Sequence, residues 1–381
     1  MSPSPWPGHP RWADAGDPLL ALPKVTLHDH LDGSLRPETM LELADAQGVG
    51  LPYRDPGELA RWFQGLIAEP AVGHWDEKFG LTTRLMQSPE NLARAAYEFV
   101  LDLAADGVVY GETRWAPEKH TLAGMSLDDA VTAVADGLSA GERAARQAGY
   151  GIRVRQLLCA MRTSDRSAEI AALTVKHLGA SVAGFDLAGE EAGHPASHHA
   201  EALRLLDEAR VPYTLHVGEH AGVDSIRDTL DSGHPLRLGH GVRIVEDIRL
   251  AGRPLTVTGA VAAVAAAGPG AALTLGPTAT WVRDQGLPLE VCLSSNSKGN
   301  VVDGRRNHPL GLLHRLGFAV TVNPDNRMMS GTSVTREMGY AVAEFGWDTD
   351  ILRTVTRTAA QAAFLPPAER ADLLGRIGGT T

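Results

Sequence analysis

Two rhythms of apolar and polar positions alternate along the chain. Short apolar runs occur at KVTLH (24–28), VVYGETRW (108–115), VRQLLCAM (154–161), VAGFDLAG (182–189), PYTLHVGE (212–219), LRLGHGV (236–242), LEVCLSSN (289–296) and AVTVNPDN (319–326). These eight runs read as candidate strands, most of them rich in β-forming residues. Most of them end in polar or charged residues. Between the runs the period lengthens to that of a helix. In SPENLARAAYEFVLDLAADG, Leu92, Ala95, Ala96, Phe99, Leu103 and Ala104 share one face; Ser88 is a natural cap, Pro89 suits the first helical position, and Gly107 can end the helix. The stretch from Ser126 to Gly149 follows the same pattern.

Eight strand–helix units predict an α/β fold of the (β/α)8 TIM-barrel class, in which the site is assembled at the C-terminal ends of the strands. A doubly wound open sheet is the alternative, but no G-x-G-x-x-G follows the first strand. Residues 52–86 read as extra helices capping the C-terminal face of the barrel. Residues 252–274 form an Ala/Gly/Val-rich tract that reads as a tolerated surface insertion. The whole chain, 1–381, is then one catalytic domain, with residues 1–20 a polar, proline-rich mobile tail.

Composition narrows the function. Hydrophobic residues make up 44% and charged residues 21% of the chain, so it is globular. The net charge is -11 and no basic run occurs, which argues against nucleic acid or an anionic membrane surface as partner. No stretch is apolar for long enough to span a membrane, and the N-terminus lacks the pattern of a signal peptide. Cys159 and Cys292 both sit in apolar runs and read as core residues in a reducing compartment, hence a cytoplasmic location.

The chemistry lies at the strand ends. His28 and His30, two residues apart, point to the same side of the first strand. His216 ends the fifth run, His240 the sixth and Asp325 the eighth. One such histidine is as easily a structural residue as a ligand. Four with an aspartate, all at one predicted end, are hard to explain as packing, and neutral imidazoles with a carboxylate suit a catalytic zinc. Glu219 lies three residues after His216, within reach of the same site.

These residues stand in LHDHLDGSLRPET, YGETRWAPE, AMR, GFDLAGEEAGHP, HVGEHAG, LGHGVRI, SSN, HPL and VTVNPDN, in that order over most of residues 20–340. This set resembles the metal-dependent adenosine deaminases of the amidohydrolase superfamily, most of all the actinobacterial branch. The resemblance implies one Zn2+ per chain, held by His28, His30, His216 and Asp325. It also implies Glu219 as the acid at the purine ring, with His240 beside the attacking water and Asp325 helping to orient it. Gly189 would meet the purine edge through its backbone, Asp32 the sugar, and Asn326 the purine N7. The substrate would be adenosine or 2′-deoxyadenosine, a small purine nucleoside, and a homodimer is compatible with it. Glu112, Arg114, Arg162 and Asp186 read as groups that hold the strands and ligands in place.

Several residues depart from the family pattern. Asn326 stands where a second aspartate is usual, Pro324 replaces a threonine, Leu293 replaces a proline, and SKGN follows Asn296. An Asn amide carries N–H donors outright, so it still suits N7, an acceptor. These changes surround the base and ribose region, so the competing enzyme reading is a deaminase of a modified adenine nucleoside such as aminodeoxyfutalosine. A non-catalytic barrel relative would lack part of the metal set or Glu219, and neither is missing. The cytidine-deaminase arrangement needs H-x-E and P-C-x-x-C, which two distant cysteines exclude.

Overall fold

A computed structural model describes residues 17–65, 75–179, 181–268 and 270–378. Its contacts divide the chain into two compact units: residues up to Gln156 with Pro324–Arg336, and Leu157–Asn323 with the residues from Glu337 onward. All eight predicted strands form. They are β1 (Lys24–His30), β2 (Val108–Trp115), β3 (Arg153–Met161), β4 (Val182–Ala188), β5 (Thr214–Val217), β6 (Arg237–His240), β10 (Leu289–Val291) and β11 (Val320–Val322). The fold class is the α/β, (β/α)8 one that the alternation predicts.

In the first unit β1 pairs with β2 in parallel, setting Asp29 against Thr113 and His30 against Arg114. Every residue of β1 is buried, polar ones included, which demands partners for its charged side chains. The helix Pro89–Ala105 forms as predicted: the Ser88 hydroxyl accepts the Asn91 N–H at 3.3 Å, and Gly107 takes a φ of 77° just beyond its end. Its apolar stripe, Leu92, Ala95, Ala96, Phe99, Leu103 and Ala104, is buried throughout.

The predicted extra helices are Pro56–Phe63 and Trp75–Leu85. Lys78 Nζ donates to the Phe63 carbonyl at 2.7 Å, tying the two together, and the Phe79 ring lies 6.2 Å from that of His30. The second of them therefore sits against the C-terminal end of β1. Of the stretch read as a tail, residues 1–16 lie outside the described residues. Asp17 caps a short 3-10 helix, Pro18–Ala21, and Lys24 Nζ donates to the Leu20 and Leu22 carbonyls at 3.2 and 2.9 Å. Burial pushes the Lys24 ammonium down to about 8.

In the second unit β5, β6, β10 and β11 run parallel as neighbours, and Phe185 of β4 bridges Tyr213 beside β5. The run LEVCLSSN changes character midway: β10 stops at Val291 and Leu293–Lys298 is helical. The Ala/Gly-rich tract is more ordered than a loop. Three short strands, β7 (Ile248–Leu250), β8 (Arg253–Pro254) and β9 (Leu273–Leu275), form an antiparallel sheet, with the helix Ala260–Ala267 between β8 and β9.

Candidate active site

In the first unit, β1 supplies two imidazoles and the loop after β11 supplies a carboxylate. His28 Nε2 and His30 Nε2 lie 3.2 and 3.3 Å from the same oxygen, Asp325 Oδ1. The backbone fixes this arrangement. The Asp325 N–H donates to the His28 carbonyl at 3.0 Å, and the His30 N–H to the Asp325 carbonyl at 2.7 Å. Asp325 takes a φ of 63°, uncommon outside glycine although Asp tolerates it better than most residues. Adjacent ligands around a tetrahedral zinc, with bonds of about 2.0 Å, stand about 3.3 Å apart. The donor set and its spacing therefore fit such a cation.

Asp29, between the two histidines, points the other way. Its Oδ2 pairs with Arg327 Nε at 2.7 Å and its Oδ1 accepts from the Ser34 hydroxyl at 2.9 Å. Burial raises the Asp29 carboxyl to about 7 even with Arg327 holding it down. Asp32 is likewise raised to about 7 by burial, against backbone hydrogen bonds at Asp32 and Ala116 that lower it. Its oxygens lie 3.8 Å from His30 Nδ1 and 4.0 Å from His120 Nε2. Asn326 is buried beside Gly33, where a Cβ would fall 2.0 Å from Asn326 Oδ1, so only glycine leaves room for that amide. Arg114 braces the strand, donating to the Leu27 carbonyl at 2.6 Å, and the Tyr110 hydroxyl donates to Glu112 at 3.0 Å.

The second unit gathers His216, Glu219 and His240. His216 Nδ1 lies 2.9 Å from Asp186 Oδ2, a pairing that turns the ring so that Nε2 is the nitrogen facing away from that carboxylate. Arg162 donates to the His216 carbonyl at 2.6 Å and to the His194 carbonyl at 2.6 Å. The rings of His216 and His240 lie 5.3 Å apart. His240, the last residue of β6, has a φ of 60°, the second non-glycine residue of the expected set held in the left-handed region. Glu219 Oε2 stands 3.5 Å from His240 Nε2 and 3.2 Å from His220 Nδ1, and its carboxylate raises the His220 imidazole. Gly189 ends the β4 run with a φ of 98°, a conformation that suits glycine.

Three residues escaped the sequence reading of roles. Glu191 accepts five hydrogen bonds: Gly218 N–H and the Ser225 hydroxyl at 2.7 Å on Oε1, and the N–H groups of Glu219, His220 and Ala221 at 3.1, 2.8 and 3.0 Å on Oε2. It thus fills a nest of successive amides and sets the loop that carries Glu219. Asn296 Nδ2 lies 3.1 Å from His240 Nδ1 and 3.5 Å from Glu219 Oε1, and His308 Nε2 lies 3.1 Å from Asn296 Oδ1. The motifs SSN and HPL marked Asn296 and His308; nothing in the sequence marked Glu191 beyond its place in GFDLAGEEAGHP.

A family model described as adenosine deaminase matches residues 23–379. The chain is 42% identical to an adenosine deaminase of Mycobacterium marinum, over 95% of both chains. It is also 42% identical to adenosine deaminase 1 of Streptomyces coelicolor, over 95% of this chain and 87% of the other. Among solved structures, an N6-mAMP deaminase of Arabidopsis superposes with a TM-score of 0.77 at 24% identity, covering 95% of this chain and 99% of that one. An amidohydrolase from Burkholderia ambifaria with bound Zn gives 0.75 at 21% identity, covering 98% and 95%. At those identities the two structures speak for the fold.

Proposed function

The chain belongs to the adenosine deaminase family, hydrolases acting on carbon–nitrogen bonds, and from that premise we propose that it converts adenosine and 2′-deoxyadenosine to inosine and 2′-deoxyinosine with release of ammonia. The observation that carries the reading is the carboxyl group of Glu219 beside His240, on a loop whose backbone N–H groups are held by the Glu191 carboxylate. Such an acid, fixed at a strand end next to a candidate ligand, is what hydrolysis of a 6-aminopurine needs.

His28, His30 and Asp325 of the first unit, with His216 of the second, are the residues proposed to hold one zinc ion. When bound, it supplies the Lewis acidity that makes water a nucleophile at neutral pH. Glu219 gives a proton to N1 as water adds to C6, so that the electron pair of the C6–N1 double bond has a place to go. The Asp325 carboxylate accepts the proton lost by the water, and His240 orients that water. The amino group then takes the proton held by Asp325 and departs as ammonia, the proton of the new hydroxyl passes to Glu219, and the 6-oxo purine remains. Gly189 is proposed to meet the base through its backbone, Asn326 to meet N7, and Asp32 to meet the ribose. The two cysteines are free and buried, in keeping with a cytoplasmic enzyme. Among the described residues no helix is long and apolar enough to cross a membrane.

The test is a panel of adenosine, 2′-deoxyadenosine, 5′-deoxyadenosine, adenine and aminodeoxyfutalosine, followed by loss of the 6-amino chromophore, with elemental analysis of the same preparation. Turnover of adenosine by protein carrying one zinc is the expected result. Turnover of aminodeoxyfutalosine alone would move the substrate to that nucleoside, and no turnover of any of them would overturn the reading.

A further inference from the structure

A chain of hydrogen bonds runs to His240 from a backbone amide that can only donate. The Leu310 N–H lies 3.1 Å from His308 Nδ1, so that nitrogen accepts. His308 is fully buried, and burial pushes its imidazole down to about 3, so it is neutral at any working pH. A neutral imidazole that accepts at Nδ1 carries its proton on Nε2. That N–H faces Asn296 Oδ1 at 3.1 Å. The Asn296 amide is thereby oriented: its oxygen is taken by His308, and its NH2 is turned to His240 Nδ1 at 3.1 Å. An amide NH2 donates and does not accept. His240 Nδ1 must therefore accept, and the ring proton of a neutral His240 is forced to Nε2, 3.5 Å from Glu219 Oε2.

We infer that Asn296 and His308 are positioning residues that fix the tautomer of His240, making Nε2 a donor toward the reacting groups. His308 acts only through Asn296, and Asn296 acts on the tautomer through His240. Backbone bonds hold both members: the His308 N–H donates to the Arg305 carbonyl at 3.0 Å. The Asn296 carbonyl accepts the N–H groups of Val301 and Val302 at 3.0 and 3.2 Å, and Ser294, two residues earlier, donates its N–H to Glu337 at 3.1 Å. His240 in this tautomer orients water by donating to it and is not the group that receives the water's proton, which falls to Asp325. The second N–H of the Asn296 amide lies toward Glu219 Oε1 at 3.5 Å, so it favours the carboxylate that Glu219 becomes after protonating N1. The consequence for catalysis rests on the deaminase reading above; the tautomer does not.

The experiment labels the histidines of the zinc-loaded enzyme with 15N and reads which ring nitrogen of His240 is protonated, its signals assigned by their loss in His240→Gln. The expected result is a protonated Nε2 and a bare Nδ1 in the parent enzyme without substrate. Asn296→Asp places an acceptor against Nδ1 and should move the proton there, with kcat lowered about tenfold or more, in the range general acid–base positioning commands, and KM little changed. His308→Gln keeps a donor where Nε2 stood and should retain the parent tautomer and most of kcat, whereas His308→Ala should lose both. A parent enzyme protonated at Nδ1 would overturn the inference whatever the variants do. So would an Asn296→Asp enzyme with unchanged tautomer and kcat. If adenosine is not turned over at all, the deaminase reading fails separately, because the tautomer is read without it.

Discussion

Asp186 Oδ2 lies 2.9 Å from His216 Nδ1, and both oxygens of Asp186 have partners: Cys159 Sγ reaches Oδ2 at 3.6 Å and the Leu187 N–H reaches Oδ1 at 2.8 Å. A carboxylate so held fixes the imidazole ring and makes its other nitrogen a better ligand. Asp186→Asn preserves the shape and removes the charge. We expect zinc affinity or activity to fall by about 10- to 100-fold, the range seen when such partners are changed. Metal titration against a competing chelator, with kcat/KM at saturating zinc, measures both. An unchanged affinity and rate would show that His216 needs no such partner.

Glu191 holds the loop of Glu219 through four consecutive backbone amides and one hydroxyl. Glu191→Gln puts an NH2 against donors and leaves at least one buried amide unpaired, at a cost of about 1–3 kcal/mol. The variant should melt several degrees lower and lose kcat while keeping its zinc. Thermal unfolding and metal analysis on one preparation test this; full kcat with a lowered melting point would restrict Glu191 to stability.

Glu219 itself should matter for rate more than for metal. Glu219→Gln keeps the volume and removes the acid, so kcat should fall by about 10²- to 10⁴-fold. Retention of near-parental kcat with zinc in place would remove Glu219 from its proposed role.

The strands and the histidines at their ends were legible because each depends on its own short stretch of sequence. An apolar run needs no distant partner to be recognised, and HDH on a strand sets two imidazoles on one side by the period alone. What local pattern does not carry is a side chain that serves another segment's backbone. Glu191 looks like one acidic residue of a polar loop until the amides of 218–221 fold onto it. Asn296 and His308 stood in motifs, but their order of donation depends on the Leu310 amide. The helix at Leu293–Lys298 was hidden for the opposite reason, because LEVCL continues the apolar run past the true end of β10.

His120 provides a test by pH. It is fully buried, its Nδ1 lies 3.0 Å from the Met86 carbonyl, and burial pushes its imidazole from 6.5 down to about 4. Below about 6.5 the unfolded chain gains a proton that the folded chain refuses. The contribution to stability is thus present above pH 6.5 and lost as the pH falls toward 4. A gap of that size corresponds to about 3 kcal/mol. Asp29 and Asp32, raised to about 7 by burial, act with the opposite sign over much of the same range, so the parent must be compared with His120→Gln. The stability difference between the two should grow by up to about 3 kcal/mol from pH 4 to pH 6.5. A flat difference would mean that His120 titrates alike in both states.

Asn326 is the departure that bears most on substrate. Its side chain lies against Gly33, closer than any Cβ would allow, and among the described residues its Oδ1 is buried without a hydrogen-bond partner. We expect its amide NH2 to donate to N7 of a bound 6-aminopurine. Loss of that donor leaves N7 buried and unpaired, a cost of about 1–3 kcal/mol, so Asn326→Ala should lower kcat/KM for adenosine by roughly ten- to a hundredfold. Gly33→Ala should do similar damage by displacing the amide, without touching its chemistry. A 7-deaza substrate has no acceptor at that position, so it should be poor with the parent enzyme and lose little more in either variant. The deciding quantity is the ratio of the two penalties. If Asn326→Ala reduces kcat/KM for adenosine and 7-deazaadenosine by the same factor, the amide does not read N7, and its burial beside Gly33 serves only the packing of the turn after Asp325.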